Sequence, residues 1–270
     1  MVYRTLYRRI PTPQLAVPLD EIKFKHDMVV YGGARTPRDV VNPERIDMFH
    51  LDHLCLGVRD LGDGVRRVQE ETGLAHYDGG VFADAIANTI FPLGGDVYLE
   101  VEAVTAPAAV RDAGAAWFDR AIADGDRWMF WSLRADTLEE LAAVAQRLGG
   151  EVARLPGRVQ PDGTQRIITT APGPGRALDT CWRRGLPNWF YREDPATNPD
   201  RGGTERGDRG VAVTRLEIGA DAGELREHIG AETFGRLPLV VVPGRPGVRA
   251  VTVRTASGRE VTLRRDPADL

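Results

Sequence analysis

The sequence predicts an α+β protein made of tandem βαβββ modules that form a curved mixed sheet, a cup or half-barrel, plus a third, shorter βα-containing module. Two observations predict this fold. Strands that alternate apolar and polar residues flank helices with apolar residues at helical spacing, and the same order of elements occurs twice. We divide the chain into an N-terminal extension (1–48), a paired βαβββ region (49–195), and a linker with a C-terminal half-module (196–270).

The first module opens with the strongly alternating segment DHLCLGVRD. Leu54, Leu56 and Val58 share one face of this strand, and His53 lies on the other, which is typical of a half-buried strand. The following segment LGDGVRRVQEETG has helical spacing and ends at Gly73, a plausible C-cap. Three further strands are predicted around VFADA, NTIFPLG and VYLEVEAV.

The closing strand VYLEVEAV repeats the division into two faces. Val97 and Leu99 share the apolar face, whereas Tyr98 and Glu100 share the polar face. Because both strands have an apolar and a polar side, we expect the curled sheet to point His53 and Glu100 into the same concavity.

The pattern restarts after an Ala-rich helical stretch over 107–124. RWMFWSLRAD and TLEELAAVAQRLGG follow, and Gly149 takes the place of Gly73 at an offset of 76 residues. Further strands are predicted at EVARL, TQRIITT and RALDTCWRRGLPNWFYRE. Beyond DPATNPDRGGTERGDRG, a linker by composition, the third module begins with the strand and helix of VTRLEIGADAGELREHIG and continues through LPLVVV, RAVTVRT and EVTL.

Composition excludes several classes of protein. The chain has 270 residues, 42% of them hydrophobic, and 35 basic against 39 acidic residues give a net charge of −4. This balance argues against a nucleic-acid or membrane partner. We expect a cytoplasmic protein, because the sequence lacks a signal-peptide core and any apolar stretch of ~20 residues. Cys55 and Cys181 form no CxxC pair, and neither a GxSxG nor a Walker A motif occurs.

The segments DHLCLGVRDLGDGV, NTIFPLGGDVYLE, PDGTQRIITTAP and LPNWFY, in this order, resemble the glyoxalase-like domain subgroup of the vicinal oxygen chelate superfamily. That superfamily includes glyoxalases, extradiol dioxygenases and bleomycin-resistance proteins. The resemblance implies a small-molecule enzyme with lyase, isomerase or cyclisation chemistry, in specialised metabolism. The alternative that it also implies is a non-catalytic small-molecule binding protein of the bleomycin-resistance type.

The resemblance further implies that His53 and Glu100 are catalytic residues and ligands of a divalent metal. The second module should offer two more ligands, but the same alignment places Met129 and Tyr191 there, and neither is a usual ligand of a hard metal. The sequence therefore leaves open whether a metal is bound. Without one, His53 and Glu100 could act as a general base and its orienting partner.

Six residues are candidates for contact with a ligand. Asn88 matches a position of a short motif that the subgroup has around its second and third strands. The other five residues lie on strands that should line the cup. Core packing is the alternative role for the aromatic residues, and a solvated surface role is the alternative for the arginine. The candidates are Asn88, Tyr98, Met129, Trp131, Tyr191 and Arg192.

We expect a small-molecule ligand and a homodimer. The extension offers the apolar segment DMVVY, which could pair with an edge strand of a second copy.

Overall fold

The structure is a computed structural model of the chain, and it describes residues 48–82, 85–106, 113–159, 163–203 and 207–270. The extension over 1–47, with its DMVVY segment, lies outside the described residues, so the strand exchange and the homodimer stay predictions. No described helix has the length and apolar character that a membrane span requires.

The described part of the chain contains two modules of the predicted element order and a C-terminal block. The first module and the helix that follows it comprise β1 (His50–Gly57), α1 (Leu61–Thr72), β2 (Tyr77–Phe82), β3 (Ile86–Gly94), β4 (Val97–Val104) and α2 (Ala113–Ala121). The second comprises β5 (Arg127–Arg134), α3 (Leu138–Arg147), β6 (Ala153–Val159), β7 (Gln165–Ala171), α4 (Pro174–Thr180) and β8 (Asn188–Tyr191). The C-terminal block comprises β9 (Gly210–Gly219), α5 (Ala222–Ile229), α6 (Ala231–Arg236), β10 (Leu239–Val242), β11 (Gly247–Thr255) and β12 (Glu260–Arg264).

The eight strands of the two modules form one barrel in the order β1-β4-β3-β2-β6-β7-β8-β5. Within each module the strands lie in the order first, fourth, third, second, and the first and fourth strands are parallel. The first strands, β1 and β5, pair in antiparallel fashion and join the modules on one side. On the other side β2 meets β6 through Val81 and Val159. The predicted curved mixed sheet is confirmed, and it curls far enough to close.

The two faces of β1 meet different surroundings, as the alternation predicts. Leu54 lies opposite Trp131 of β5, and both belong to the apolar core that α1 covers through Val68. His53 lies opposite Ser132 on the other face, which points into the barrel. Directly opposed residues of paired strands project to the same side, so each face continues across the junction between the modules.

The offset of 76 residues fails for the first strands. It equates Leu54 with Phe130, yet the structure puts Trp131, not Phe130, on the face of Leu54. Because side chains alternate along a strand, an error of one residue exchanges the two faces. The offset was taken from the helix ends at Gly73 and Gly149, but α1 has 12 residues and α3 has 10. The first strands and the helix starts are instead related by 77 residues, as His50 is to Arg127 and Leu61 to Leu138. The position that corresponds to His53 is therefore Phe130. Met129 is the extra residue at a second register shift, corresponds to Asp52, and packs with Cys55 on the inner side.

The segment RALDTCWRRGLPNWFYRE is only partly a strand, contrary to the prediction. It begins in α4, where Pro174 occupies the first helical turn, a position that suits its fixed φ. A short 3₁₀ helix over Trp182–Arg184 follows and ends at Gly185, whose φ is 74°. The strand is confined to Asn188–Tyr191.

Part of the segment predicted as a linker packs against the barrel. The carboxylate of Asp200 accepts hydrogen bonds from the backbone N–H groups of Gly94 (2.8 Å) and Asp96 (3.1 Å) in the turn between β3 and β4. The Asn198 amide donates to the carbonyl of Asp96 at 2.9 Å. These bonds hold a turn in which Asp96 has a φ of 63°, a conformation that most residues avoid.

The C-terminal block forms a second sheet in the order β10-β9-β11-β12, with β10 parallel to β9. This order differs from that of the two modules, so the block repeats their beginning but not their topology. Its apolar face, including Leu216 and Val251, shares the main core with the barrel. The two backbones approach closely at Gly94, where a Cβ would lie 2.3 Å from the carbonyl carbon of Val211.

A buried histidine lies where the C-terminal block meets the second module. His228 of α5 is 9% exposed, and its Nε2 lies 3.0 Å from the carbonyl oxygen of Pro187 and 3.8 Å from Sγ of Cys181. Burial lowers the pKa of His228 to about 4, the hydrogen bond to Pro187 opposes this shift, and the charges of Arg147 and Arg184 add to it. The folded protein thus keeps this imidazole neutral.

This depressed pKa predicts that stability falls with pH in mild acid. Below pH 6.5 His228 binds a proton in the unfolded chain, whereas in the folded chain it stays neutral down to about pH 4. The wild type should therefore lose about 2 kcal/mol between pH 7 and pH 5 through this group. Urea unfolding at both pH values checks this, and His228→Gln should remove that part of the loss. His50→Gln, an exposed control, should not; equal pH dependence in the wild type and His228→Gln would contradict the assignment.

Candidate functional site

The centre of the candidate site is a bulge in β1. The pairing of β1 with β5 shifts register between Leu51 and His53, so Asp52 is an extra residue on β1. A bulge interrupts the alternation of side chains. Asp52 and His53 therefore project to the same side although they are adjacent in sequence, and Oδ2 of Asp52 lies 2.7 Å from Nδ1 of His53.

Aromatic rings enclose His53, which is 2% exposed. The Tyr98 ring stacks on the imidazole with centroids 5.1 Å apart and an interplanar angle of 18°. Phe190 and Phe130 meet it edge-on at 4.7 and 6.0 Å. Within the described part of the chain, the hydrogen bonds of this imidazole are made at Nδ1, to Asp52 and to the Tyr98 hydroxyl at 3.4 Å.

Asp52 also pairs with Arg192 across the junction of the modules. Both Nη atoms of Arg192 donate to the carboxylate, one of them at 3.0 Å, and Nη2 also donates to the Tyr98 hydroxyl at 2.5 Å. Burial tends to raise the pKa of Asp52. The charge of Arg192 and the hydrogen bond from His53 outweigh this effect, so the pKa lies well below its ordinary value. The same pair raises the pKa of Arg192 against its own burial, and Asp52 is therefore an anion under ordinary conditions.

Glu100 shares the inner face of β4 with Tyr98 but lies one step deeper in the barrel. Tyr98 is in register with His53, whereas Glu100 is in register with Cys55. Glu100 is 3% exposed and acts electrostatically on Arg192. The structure thus brings both predicted catalytic residues to one face, but the direct partner of His53 is Asp52.

Asn88 of β3 lies further along the same interior, in register with Glu102 of β4. It is fully buried, and in the described part of the chain neither its amide nitrogen nor its amide oxygen has a hydrogen-bond partner. Gly79 of β2 faces the amide so closely that a Cβ there would lie 2.3 Å from Oδ1 of Asn88. A buried amide without partners is costly, so we expect Asn88 to lower the stability of the fold.

The other predicted ligand contacts fall into two groups. Tyr98 and Arg192 belong to the His53 cluster. Trp131 and Tyr191 lie on the apolar outer side of their strands, and Trp131 donates its indole N–H to the carbonyl of Gly185 at 2.9 Å. Met129 is buried in a smaller apolar cluster with Cys55, Phe118 and Ile122.

A row of aromatic rings that the sequence did not single out reaches His53 from the side of α2. Phe130 stacks on Trp182 at 4.4 Å and 12°, and Trp182 stacks on Trp117 at 6.2 Å and 25°. These three rings are partly exposed, whereas His53 is not. The rings of this row thus come from the inner face of β5, from the 3₁₀ helix and from α2, whereas Trp131 and Tyr191 lie on the outer side of their strands.

The donor set does not fit the divalent metal that the fold family implies. Within the described residues there is no group of three or more His, Cys, Asp or Glu side chains that could share one ion. The Nδ1 side of His53 is engaged by Asp52, and the carboxylate of Glu102 accepts a hydrogen bond from Sγ of Cys55 at 3.2 Å. His53 and Glu100 therefore lack the further ligands that a divalent metal would need from the described residues.

A surface groove of about 570 Å³ contains none of the predicted site residues. Its charged groups pair with one another, as Arg67 does with Asp126 at 2.8 Å. The groove is lined by Arg59, Asp60, Asp63, Arg67, Gly125, Asp126, Arg127 and Arg265.

Comparison with known protein families shows where this chain belongs. The family model described as "Glyoxalase-like domain" matches residues 51–234, which is more than half of the chain. This range includes both modules and ends in α6. Among curated proteins none matches the sequence significantly.

Solved structures with similar backbones include methylmalonyl-CoA epimerases. The enzyme from Mycobacterium tuberculosis is 14% identical, with a TM-score of 0.38, and the match covers 54% of this chain and 89% of that chain. A variant of the Streptomyces coelicolor enzyme in complex with 2-nitronate-propionyl-CoA is 15% identical, with a TM-score of 0.38 and coverage of 54% and 98%.

Replacing Asp52 should destabilise the fold strongly. Asp52→Asn keeps the shape but leaves the Arg192 guanidinium without its counter-charge, and we expect a loss of about 3 kcal/mol in the free energy of unfolding. Chemical denaturation at pH 7 measures the loss. Asp63→Asn breaks an exposed ion pair with Arg66 and should cause no measurable change. A similar small effect for both variants would show that the buried pair does not support the fold.

Replacing Asn88, in contrast, should stabilise the fold. Asn88→Leu is close in shape and removes two unpartnered polar atoms, so it should raise the free energy of unfolding by about 1 kcal/mol. The matched control is Asn188→Leu. The Asn188 amide oxygen accepts from Ser132 at 2.7 Å and from Trp182 at 3.2 Å, so the control should lower stability. Destabilisation by Asn88→Leu would mean that the amide has a partner, such as a buried water.

Proposed function

Because the chain belongs to the glyoxalase-like domain family of the vicinal oxygen chelate superfamily, we propose that it is a small-molecule enzyme in which His53 transfers a proton. The observation that carries this proposal is the 2.7 Å contact between Asp52 and His53 inside the barrel. An ionised carboxylate beside Nδ1 favours the tautomer with the proton on Nδ1, which leaves the lone pair of Nε2 available as a base.

The residues around the imidazole support the same role. Asp52 is fully buried and ionised, so it can stabilise the imidazolium that forms when His53 takes a proton. The Tyr98 ring stacked on one side and the edges of Phe190 and Phe130 hold the imidazole plane. Fixing a base in orientation removes part of the entropic cost of reaching the transition state.

The reaction class that fits is proton removal next to a carbonyl group or from a hydroxyl group, as in an isomerase, a lyase or a cyclase. Such a reaction develops negative charge on an oxygen of the substrate. The Arg192 guanidinium, hydrogen-bonded to Asp52 and Tyr98, is a nearby cation that can stabilise this charge. The proton moves to Nε2 of His53 and returns from the same atom to the product.

The second candidate is a non-catalytic small-molecule binding protein of the bleomycin-resistance type. The observation that favours it is the row of partly exposed rings formed by Phe130, Trp182 and Trp117. Such a row can hold a flat, unsaturated ligand by stacking alone. In this case His53 and Asp52 would shape the cavity without transferring a proton.

Proton transfer by His53 can be tested without knowing the substrate. The wild type is incubated in D₂O with a panel of small carbonyl and hydroxy-carbonyl compounds, and deuterium incorporation is followed by mass spectrometry. His53→Gln should slow the incorporation at least ~100-fold, since a general base contributes about that factor. The control is His50→Gln on the same strand, where the exposed histidine pairs with Asp136; its rate should match the wild type within twofold.

Two outcomes would contradict proton transfer by His53. Incorporation that persists in His53→Gln would assign the base to another residue. Binding of a panel member with no incorporation, weakened when Trp182→Ala shortens the aromatic row, would favour the binding protein.

A further inference from the structure

We propose that Arg134 and Arg192 form an anion-binding rim at the solvent-facing edge of the Asp52–His53 pair, and that it takes the carboxylate or phosphate group of the ligand. The inference rests on the proposed function, because it assigns ligand chemistry to the same site. It concerns binding alone, so its test does not depend on turnover.

Both guanidinium groups approach one carboxylate oxygen. Nη1 of Arg192 donates to Oδ1 of Asp52, and Nη1 of Arg134 lies 3.7 Å from the same atom. Asp52 is the carboxylate that both guanidinium groups approach, whereas Asp96 acts on both and Glu100 acts on Arg192 through their charges. Two cations thus lie against one carboxylate, and they repel each other. A second anion between them would lower the electrostatic energy of the cluster.

Both guanidinium groups keep donors that the described protein does not use. Arg134 donates from Nη1 to the carbonyl of Asp96 at 3.1 Å, and Arg192 donates from its two Nη atoms to Asp52 and Tyr98. The Nε of each and the Nη2 of Arg134 have no partner in the described part of the chain. A guanidinium carries five N–H donors, so each group has capacity left for a ligand.

The two arginine side chains are also the part of the cluster that solvent reaches. The side chains of Arg134 and Arg192 are 17% and 14% exposed, whereas those of Asp52 and His53 are 0% and 3% exposed. A ligand that approaches the buried pair from this edge therefore meets the two guanidinium groups first.

The other acidic groups near this edge leave its outer side open to an anion. Asp96 binds Arg201 through both carboxylate oxygens, at 2.7 and 3.0 Å. Glu100 acts on Arg192 from the buried interior of the barrel. No carboxylate of the described residues other than Asp52 forms an ion pair with Arg134 or Arg192.

The chemistry that suits such a rim is a planar or tetrahedral oxyanion. Guanidinium groups bind carboxylates and phosphates through paired N–H donors, with a geometry that lysine cannot offer. An anion held here would lie beside the carboxylate that orients His53. The charged end of the substrate would then be fixed while the carbon or hydroxyl to be deprotonated is presented to the imidazole.

Three probes of similar shape test the rim: benzoate, phenyl phosphate and neutral benzamide. Binding to the full-length protein is measured by isothermal titration calorimetry at constant ionic strength. We expect at least one of the two anions to bind tenfold more tightly than benzamide. Comparing benzoate with phenyl phosphate decides between a carboxylate and a phosphate ligand.

In Arg134→Gln the affinity for the anion should exceed the affinity for benzamide by about twofold or less. Arg183→Gln should leave the wild-type ratio of affinities unchanged. Arg183 is a matched control, because it is an exposed arginine that pairs with Asp179 on α4. Circular dichroism verifies that both variants are folded. If Arg134→Gln does not fold, the ratio of the wild-type affinities for the anion and for benzamide remains decisive.

Equal affinity for the three probes, or an anion preference that Arg134→Gln retains, would contradict the anion-binding rim. If His53→Gln loses turnover but the wild type shows no anion preference, the proposed function stands and only this inference is rejected.

Discussion

The buried negative charge of Asp52 is the constraint on which the centre of this protein depends. A carboxylate with no exposure to water costs several kcal/mol unless cations and hydrogen-bond donors surround it. Here its partners come from three strands: His53 beside it on β1, Arg134 at the end of β5, and Arg192 directly after β8. Satisfying one charge therefore fixes the register between the two modules and the orientation of the imidazole together.

Periodicity alone predicted most of the fold. The division of β1 and β4 into apolar and polar faces is what the structure has, because one face packs under helices and the other lines the barrel. The helix that ends at Gly73 follows from local chemistry, a left-handed C-cap that glycine adopts at little cost. The strand predicted over RALDTCW failed because Pro174 and Gly185 impose local helical turns that an apolar pattern does not reveal.

The candidate site was predicted only in part, and the reason is geometric. Alternation puts Asp52 on the opposite face from His53, and only the bulge, which has no sequence signal here, brings the two together. The aromatic residues beside His53 were also predicted wrongly. Trp131 was expected there but lies in the outer core, and Phe130 and Trp182 form the row of rings beside His53. Arg192 gave no distinctive signal among the many arginines of the chain.

The two halves of the barrel share a topology but contribute unequally to its interior. The carboxylate, the imidazole and the phenol come from one half, and both guanidinium groups come from the other. In a barrel of two identical halves, each half would carry both the acidic and the basic residues, and the network would occur twice, once on each side of the pseudo-symmetry axis. The position equivalent to Asp52 in the second half is Met129, the extra residue of β5. The described barrel therefore holds this cluster on one side of the axis alone, and its two sides differ in charge although their strands follow the same order.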